Sequence, residues 1–184
     1  MSELRTDRLL LRQWRPEDFG PFAELNADPE VMRYFPAPLR RDESDGLATK
    51  ARALIEARGW GLWAVEVVET NEFIGFIGLA EPSFDADFTP AVEVGWRLHR
   101  RHWGSGYATE GARAALAFAF EELSLEEVVS FTSAVNLRSR RVMERLGMTH
   151  DPEDDFEHPR VDDRVLRPHV LYRIKRAAGA PRVP

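Results

Sequence analysis

At 184 residues the chain has the length of one domain, and 43% hydrophobic with 30% charged residues is the composition of a globular protein with its own core. A formal net charge of −6 repels phosphate polymers, which excludes nucleic-acid binding without a strong local basic patch. Cysteine is absent, which removes disulfides, thiolate metal sites, iron–sulfur clusters and a cysteine nucleophile together.

The opening Met-Ser-Glu-Leu-Arg-Thr-Asp has no apolar run behind a basic start, so no signal peptide is expected. No stretch approaches the roughly 20 apolar residues of a membrane helix, and a cytoplasmic location is the simplest expectation. Leu4 to Trp14 reads as a strand, and Pro16-Glu17-Asp18 starts a helix carrying Phe19, Phe22, Ala23 and Leu25. Asp28-Pro29-Glu30 predicts a second short helix through Val31, Met32, Tyr34 and Phe35, stopped by Pro36 and Pro38. Asp42 to Arg58 is a longer helix, with Gly59 and Gly61 in the turn after it. Leu62 to Val68 and Phe73 to Leu79 then read as an antiparallel hairpin around Thr70-Asn71-Glu72.

Glu81 to Pro90 is a loop. Ala91 to Leu98 alternates, with Val92, Val94, Trp96 and Leu98 on one face and Glu93, Gly95 and Arg97 on the other. A glycine turn leads into a helix from about Tyr107 to Glu122, followed by a strand over Glu127 to Thr132 and a helix over Leu137 to Leu146 closed by Gly147. His169 to Lys175 is the last strand, and Met148 to Phe156 holds one more. The order predicts a mixed α/β sheet around one core, spanning residues 1–176. The Gly, Ala and Pro content of 177–184 predicts a frayed tail.

The chemistry concentrates in Arg100-Arg101-His102-Trp103-Gly104-Ser105-Gly106-Tyr107-Ala108-Thr109-Glu110, between a strand and a helix. Unpaired N–H groups at a helix N-terminus attract anions, and glycines let a phosphate approach the backbone. The local basic residues suit a small polyanion. The P-loop spacing is absent, and Thr109 stands where the dinucleotide fingerprint needs its third glycine. A pyrophosphate of another kind and a plain glycine turn both remain.

Arg101-x-x-Gly104-x-Gly106-x-Ala108 resembles the acetyl-CoA pyrophosphate loop of the GNAT N-acetyltransferases, Gln/Arg-x-x-Gly-x-Gly/Ala. The longer string Trp103 to Glu110, the opening Leu4 to Arg12, and Asn136-x-x-Ser139 followed by Glu144-Arg145-Leu146-Gly147-Met148 resemble the Rim-type ribosomal-protein N-terminal acetyltransferase branch. The resemblance covers nearly the whole chain. It implies a single-domain GNAT-like fold with a mostly antiparallel twisted sheet splayed near the acyl-CoA site, and acetyl-CoA as co-substrate. It further implies a primary amine as acceptor, either a protein N-terminus or a small molecule. Arg101, His102, Trp103, Gly104, Ser105, Gly106, Tyr107 and Ala108 would surround the pyrophosphate, and Leu98 would end the strand that pairs with pantetheine. Related proteins are often dimers, so a homodimer is compatible with it.

An ammonium must lose a proton before it attacks, and Glu93 is the best base, since family members often place a carboxylate on this strand. The competing reading is a solvated Glu93 or one paired with Arg97. Asn136 and Ser139 would lie near the CoA sulfur, although helix capping alone explains both. Many relatives carry a Tyr acid four residues after the Ser, where this chain has Met143, which cannot donate a proton. Ser139 is then the favoured donor to the thiolate. No Gly-x-Ser-x-Gly elbow surrounds Ser139, so direct transfer is expected. The histidines lack metal-ligand spacing and read mostly as surface or strand-edge residues. The acidic run at 151–157 reads as solvated surface. A catalytically silent acyl-CoA-binding sensor is the alternative.

Overall fold

In the computed structural model, which describes residues 3–177, the first apolar segment forms two strands rather than one. Leu4–Arg5 (β1) and Leu9–Arg12 (β2) pair antiparallel, Leu4 opposite Leu11. Thr6 and Asp7 supply the turn chemistry that breaks the run, with the Leu9 amide donating to Thr6 Oγ1 at 2.9 Å. A 3₁₀ turn at Pro16–Asp18 leads into α1 (Phe19–Ala27), and α2 (Arg41–Arg58) ends on Gly59 in the left-handed region. The expected helix over 28–35 does not form. Between Pro29 and Pro36 the run is too short to sustain a helix, and isolated turns such as Met32 N to Asp28 O at 3.0 Å take its place.

The predicted hairpin is present as β3 (Leu62–Val67) and β4 (Glu72–Ala80), and β5 (Glu93–Leu98) runs antiparallel to β4. Helix α3 (Tyr107–Glu121) then crosses over to β6 (Glu127–Ser133), which lies parallel to β5. After α4 (Leu137–Arg145), the segment expected to hold one strand holds two short ones, β7 (Thr149–His150) and β8 (Phe156–Glu157). Both pair with β9 (Pro168–Lys175), itself antiparallel to β6. The sheet order is β1-β2-β3-β4-β5-β6-β9-β7. All pairings but β5–β6 are antiparallel, and a parallel pair needs a crossover of the kind α3 provides.

Helices α1 and α2 cover one face of the sheet, where Trp14, Phe22, Phe73 and Phe76 pack edge to face, with Trp14 and Phe22 at 4.8 Å. Helix α3 covers the other, bringing Gly111 against Ile77. Register determines which face each β5 side chain reaches. Phe76 and Arg97 are cross-strand partners, so Glu93, Gly95 and Arg97 look toward α1 while Val94 and Leu98 are buried in the core. The tail expected at 177–184 lies, beyond Ala177, outside the described residues.

The β5–β6 pairing is brief. Glu93 stands opposite Val129, Val129 N donates to Val92 O at 2.9 Å, and Ser130 Oγ donates to Val94 O at 2.8 Å. Beyond Val94 the strands diverge, and the fold opens there.

Candidate active site

A cavity of 890 Å³ occupies the split, with residues of β5 and β6 on two sides and the glycine loop and α4 at one end. Gly104 and Gly106 sit at φ 81° and 84°, a region that costs any other residue strain. Gly106 is the N-cap of α3 and has no side chain to offer, so the first amides of the helix face outward without a side-chain cap. Nothing stands within 4 Å of the place a Gly104 Cβ would occupy. Loop position is fixed from outside: Trp103 Nε1 donates to Leu98 O at 2.9 Å, and Arg8 Nη1 donates to Ser105 O at 3.0 Å.

The anchor of that second contact was not visible in the sequence. Glu110, in the first turn of α3, accepts from Thr6 Oγ1 at 2.6 Å, from the Arg8 amide at 3.0 Å and from Arg8 Nε at 2.7 Å. Burial raises its pKa, and the bonds from Thr6 and Arg8 outweigh burial, so it ends below the ordinary value. The β1–β2 turn and the glycine loop are therefore tied together across the chain. Replacing Glu110 by Gln is expected to weaken acetyl-CoA binding about tenfold, the equivalent of about 1.4 kcal/mol, with a smaller change in kcat. Calorimetric titration with CoA checks this, and unchanged affinity would remove Glu110 from the loop's support.

Helix α4 presents Arg138, Arg141 and Arg145 to the cavity at helical spacing, with the Arg138 guanidinium 4.4 Å over the Trp103 ring. A glycine cradle open where a side chain would project, outward amides and three arginines suit a multiply charged pyrophosphate ligand. The edge that β5 leaves free beyond Val94 suits a ligand that itself carries amides. Acetyl-CoA has both parts, and the residues present fit it.

Of the residues expected at the site, Leu98, His102, Trp103, Gly104, Gly106, Tyr107, Ala108, Asn136 and Ser139 line the cavity. Arg101 and Ser105 do not. The Arg101 side chain turns to Glu72 at 2.6 Å, and the Ser105 carbonyl is engaged by Arg8. Asn136 caps α4, accepting from Ser139 N at 3.3 Å. Its Nδ2 donates to Thr132 Oγ1 at 2.9 Å and to Ser139 Oγ at 3.1 Å. Because Ser139 Oγ accepts that bond, its own hydrogen is left to donate elsewhere. Met143 is buried on the same wall.

Glu93 marks the point where the strands part. Its carboxyl leans along β5, with Oε1 3.6 Å from where a Gly95 Cβ would stand. The residue is partly buried on the cavity wall, and desolvation by the surrounding protein pushes its pKa up to about 8. The pairing with Arg97 considered from the sequence is not made: the Arg97 guanidinium donates to Asn26 Oδ1 at 2.7 Å instead.

The histidines differ from expectation, since His99 and His169 are buried rather than superficial. The His169 and His158 rings lie 4.8 Å apart, tilted at 44°, on the cavity wall within a cluster of Phe84, Phe131 and Phe156. Burial, then His169 and Arg160, lower His158 to about 4, so it is neutral at physiological pH. Within the acidic run, Asp154 binds Arg173 and Asp155 binds His150, each at 2.7 Å, so part of it braces β9 and β7.

A splayed sheet with a glycine loop at an uncapped helix start and a carboxyl at the fork is the arrangement of an acyl-CoA-dependent transferase. The model of the GNAT acetyltransferase domain matches residues 8–149, and the chain belongs to that family of acetyl-CoA-dependent acyltransferases. An FsC-acetyl coenzyme A-N(2)-transacetylase of Aspergillus fumigatus is 39% identical over 137 residues, 69% of this chain, which spans 56% of that protein's length. A crystal structure of an acetyltransferase from Agrobacterium tumefaciens str. C58 is 33% identical with a TM-score of 0.77, covering 96% of this chain and 95% of that one. The ribosomal L7/L12 alpha-N-protein acetyltransferase RimL, solved with coenzyme A, has the same fold at 14% identity, a TM-score of 0.74 and coverage of 95% and 98%. Rim-type enzymes are thus among its structural neighbours, as the resemblance implied.

Proposed function

We propose that the chain transfers acetyl directly from acetyl-CoA to a primary amine, of a small molecule or a protein N-terminus, with Glu93 as general base and Ser139 as proton donor. Acetyl-CoA supplies the activated acetyl thioester. The observation that carries the reading is the Glu93 carboxyl at the fork of β5 and β6, with a pKa near 8. An alkylammonium of pKa about 10 is almost wholly protonated at neutral pH and attacks only after losing that proton. A carboxylate of pKa 4 is a weak acceptor for it, and one near 8 is far better matched. Glu93 takes the proton directly or through one water.

The thiolate that leaves needs a proton in turn. Ser139, oriented by Asn136 and with its hydrogen free, is a group on the cavity wall able to give it. Its replacement by Ala is expected to lower kcat about tenfold at little cost in KM for the amine, since water substitutes poorly for a fixed donor. With no cysteine in the chain and no nucleophile elbow around Ser139, the amine itself receives the acetyl group. Thiol release from acetyl-CoA, followed with a panel of amines, tests the assignment. Tight binding of acetyl-CoA with no turnover on any amine would point to a silent sensor instead.

A further inference from the structure

The acceptor side of the cavity holds a second partly buried ionisable side chain that the transfer chemistry does not use. Arg97 projects from the same face of β5 as Glu93 and lines the same cavity. Its guanidinium lies 4.2 Å from the ring of Phe35 and 5.5 Å from that of Phe76, and Nη1 donates to Asn26 Oδ1 at 2.7 Å. Asn26 is fully buried and donates from Nδ2 to Ser44 Oγ at 2.8 Å, so the guanidinium is held in place by a neutral chain reaching back to α2. Nε is buried and finds no acceptor among the described residues. Nor does Arg97 form an ion pair among them, and burial alone pulls its pKa down to about 10.

A partly buried cation on a cavity wall without a counter-charge is poorly compensated, and with Nη1 occupied and Nε enclosed the guanidinium still has Nη2 to offer a carboxylate. Glu93 does not neutralise it: the two groups are separated along the strand, and each is shifted by burial alone. The acceptor wall therefore has a carboxyl that takes an amine proton and, further along one strand face, a fixed cation awaiting an anion. We infer that the acceptor is an amine carrying a carboxylate a few bonds away, which the Arg97 guanidinium binds through Nη2 while Glu93 faces the amino group. This rests on the acetyltransferase reading and narrows it to one substrate class.

Matched pairs of amines test the inference. Acetyl-CoA turnover is measured with β-alanine, 4-aminobutyrate and 5-aminopentanoate beside propylamine, butylamine and pentylamine, and with 4-aminobutyramide as an uncharged mimic. The expected result is a kcat/KM at least tenfold higher for the best carboxylate than for its alkylamine and amide partners, arising in KM. In Arg97→Gln that ratio should fall to near one, and Arg97→Lys should keep part of it, with CoA titration showing that both variants are folded. A ratio near one in the unaltered enzyme overturns the inference even if the variants fail to fold, as does a ratio that survives in Arg97→Gln. Turnover of both series at an even ratio strikes the Arg97 assignment alone. Absence of turnover with every amine strikes the acetyltransferase reading and this inference with it.

Discussion

Glu93→Gln is expected to lower kcat/KM for the amine about 10²- to 10³-fold, the usual worth of a positioned general base, and to change the shape of the pH profile. In the unaltered enzyme the active form has Glu93 ionised, so the rate should climb as pH rises through about 8, the value to which burial pushes this carboxyl. The variant should lose that limb and keep only the dependence set by the amine. Stability moves the other way. Because the folded pKa lies above the unfolded one near 4.3, the folded state holds the proton more tightly, and the stability this confers is present at low pH and lost as pH rises through about 8. Gln, which never ionises, escapes that loss. The variant should melt about 2–4 °C higher at pH 8.5, for about 1 kcal/mol after allowing for water in the cavity, and should match the parent at pH 4. An undiminished kcat across the pH range would end the role assigned to Glu93.

The glycine loop, the β5 carboxylate and the Asn136–Ser139 cap were legible because each is local. Their signals lie within a few residues, and the physics of an uncapped helix start or an alternating strand needs no distant partner. The departures from expectation also have local causes: the run between Pro29 and Pro36 is too short for a helix and forms turns, and Thr6-Asp7 divided a strand in two. What lay beyond reach was pairing across the chain. Glu110 reads as an ordinary acidic residue in a first helical turn, and only the fold shows that Thr6 and Arg8 occupy its oxygens. For Arg97 the sequence offered a pairing with Glu93 only as a competing reading, and the fold instead brings Asn26 of α1 to it. His158 and His169 sit on different segments, and packing among the phenylalanines is what buries His169 and partly covers His158.

Arg12→Met should destabilise the fold by about 3–5 kcal/mol, lowering the melting temperature by about 10 °C at pH 7. Arg12 is 2% exposed and donates from Nη1 and Nη2 to Asp18 at 2.7 and 2.9 Å, and from Nε to Glu66 at 2.9 Å. Burial disfavours its charge, but the two carboxylates more than reverse that, and its pKa ends above the ordinary value. Methionine fills much of the volume and leaves two buried carboxylates with only the half-exposed Arg15 near Glu66, at 3.2 Å. Acid should recover part of the loss by protonating the stranded groups, so melting curves at pH 7 and pH 4.5 give the larger gap at pH 7. A deficit below about 1 kcal/mol, or one that does not shrink in acid, would show that the network carries little. The cost should extend to the site. Asp18 closes the 3₁₀ turn that launches α1, accepting the Arg15 amide at 2.7 Å, and α1 carries Asn26 to the Arg97 guanidinium. An Arg12 variant assayed well below its melting temperature should therefore show a raised KM for the acceptor while its affinity for acetyl-CoA, proposed to rest on the glycine loop and α4 at the other end of the cavity, stays near that of the parent.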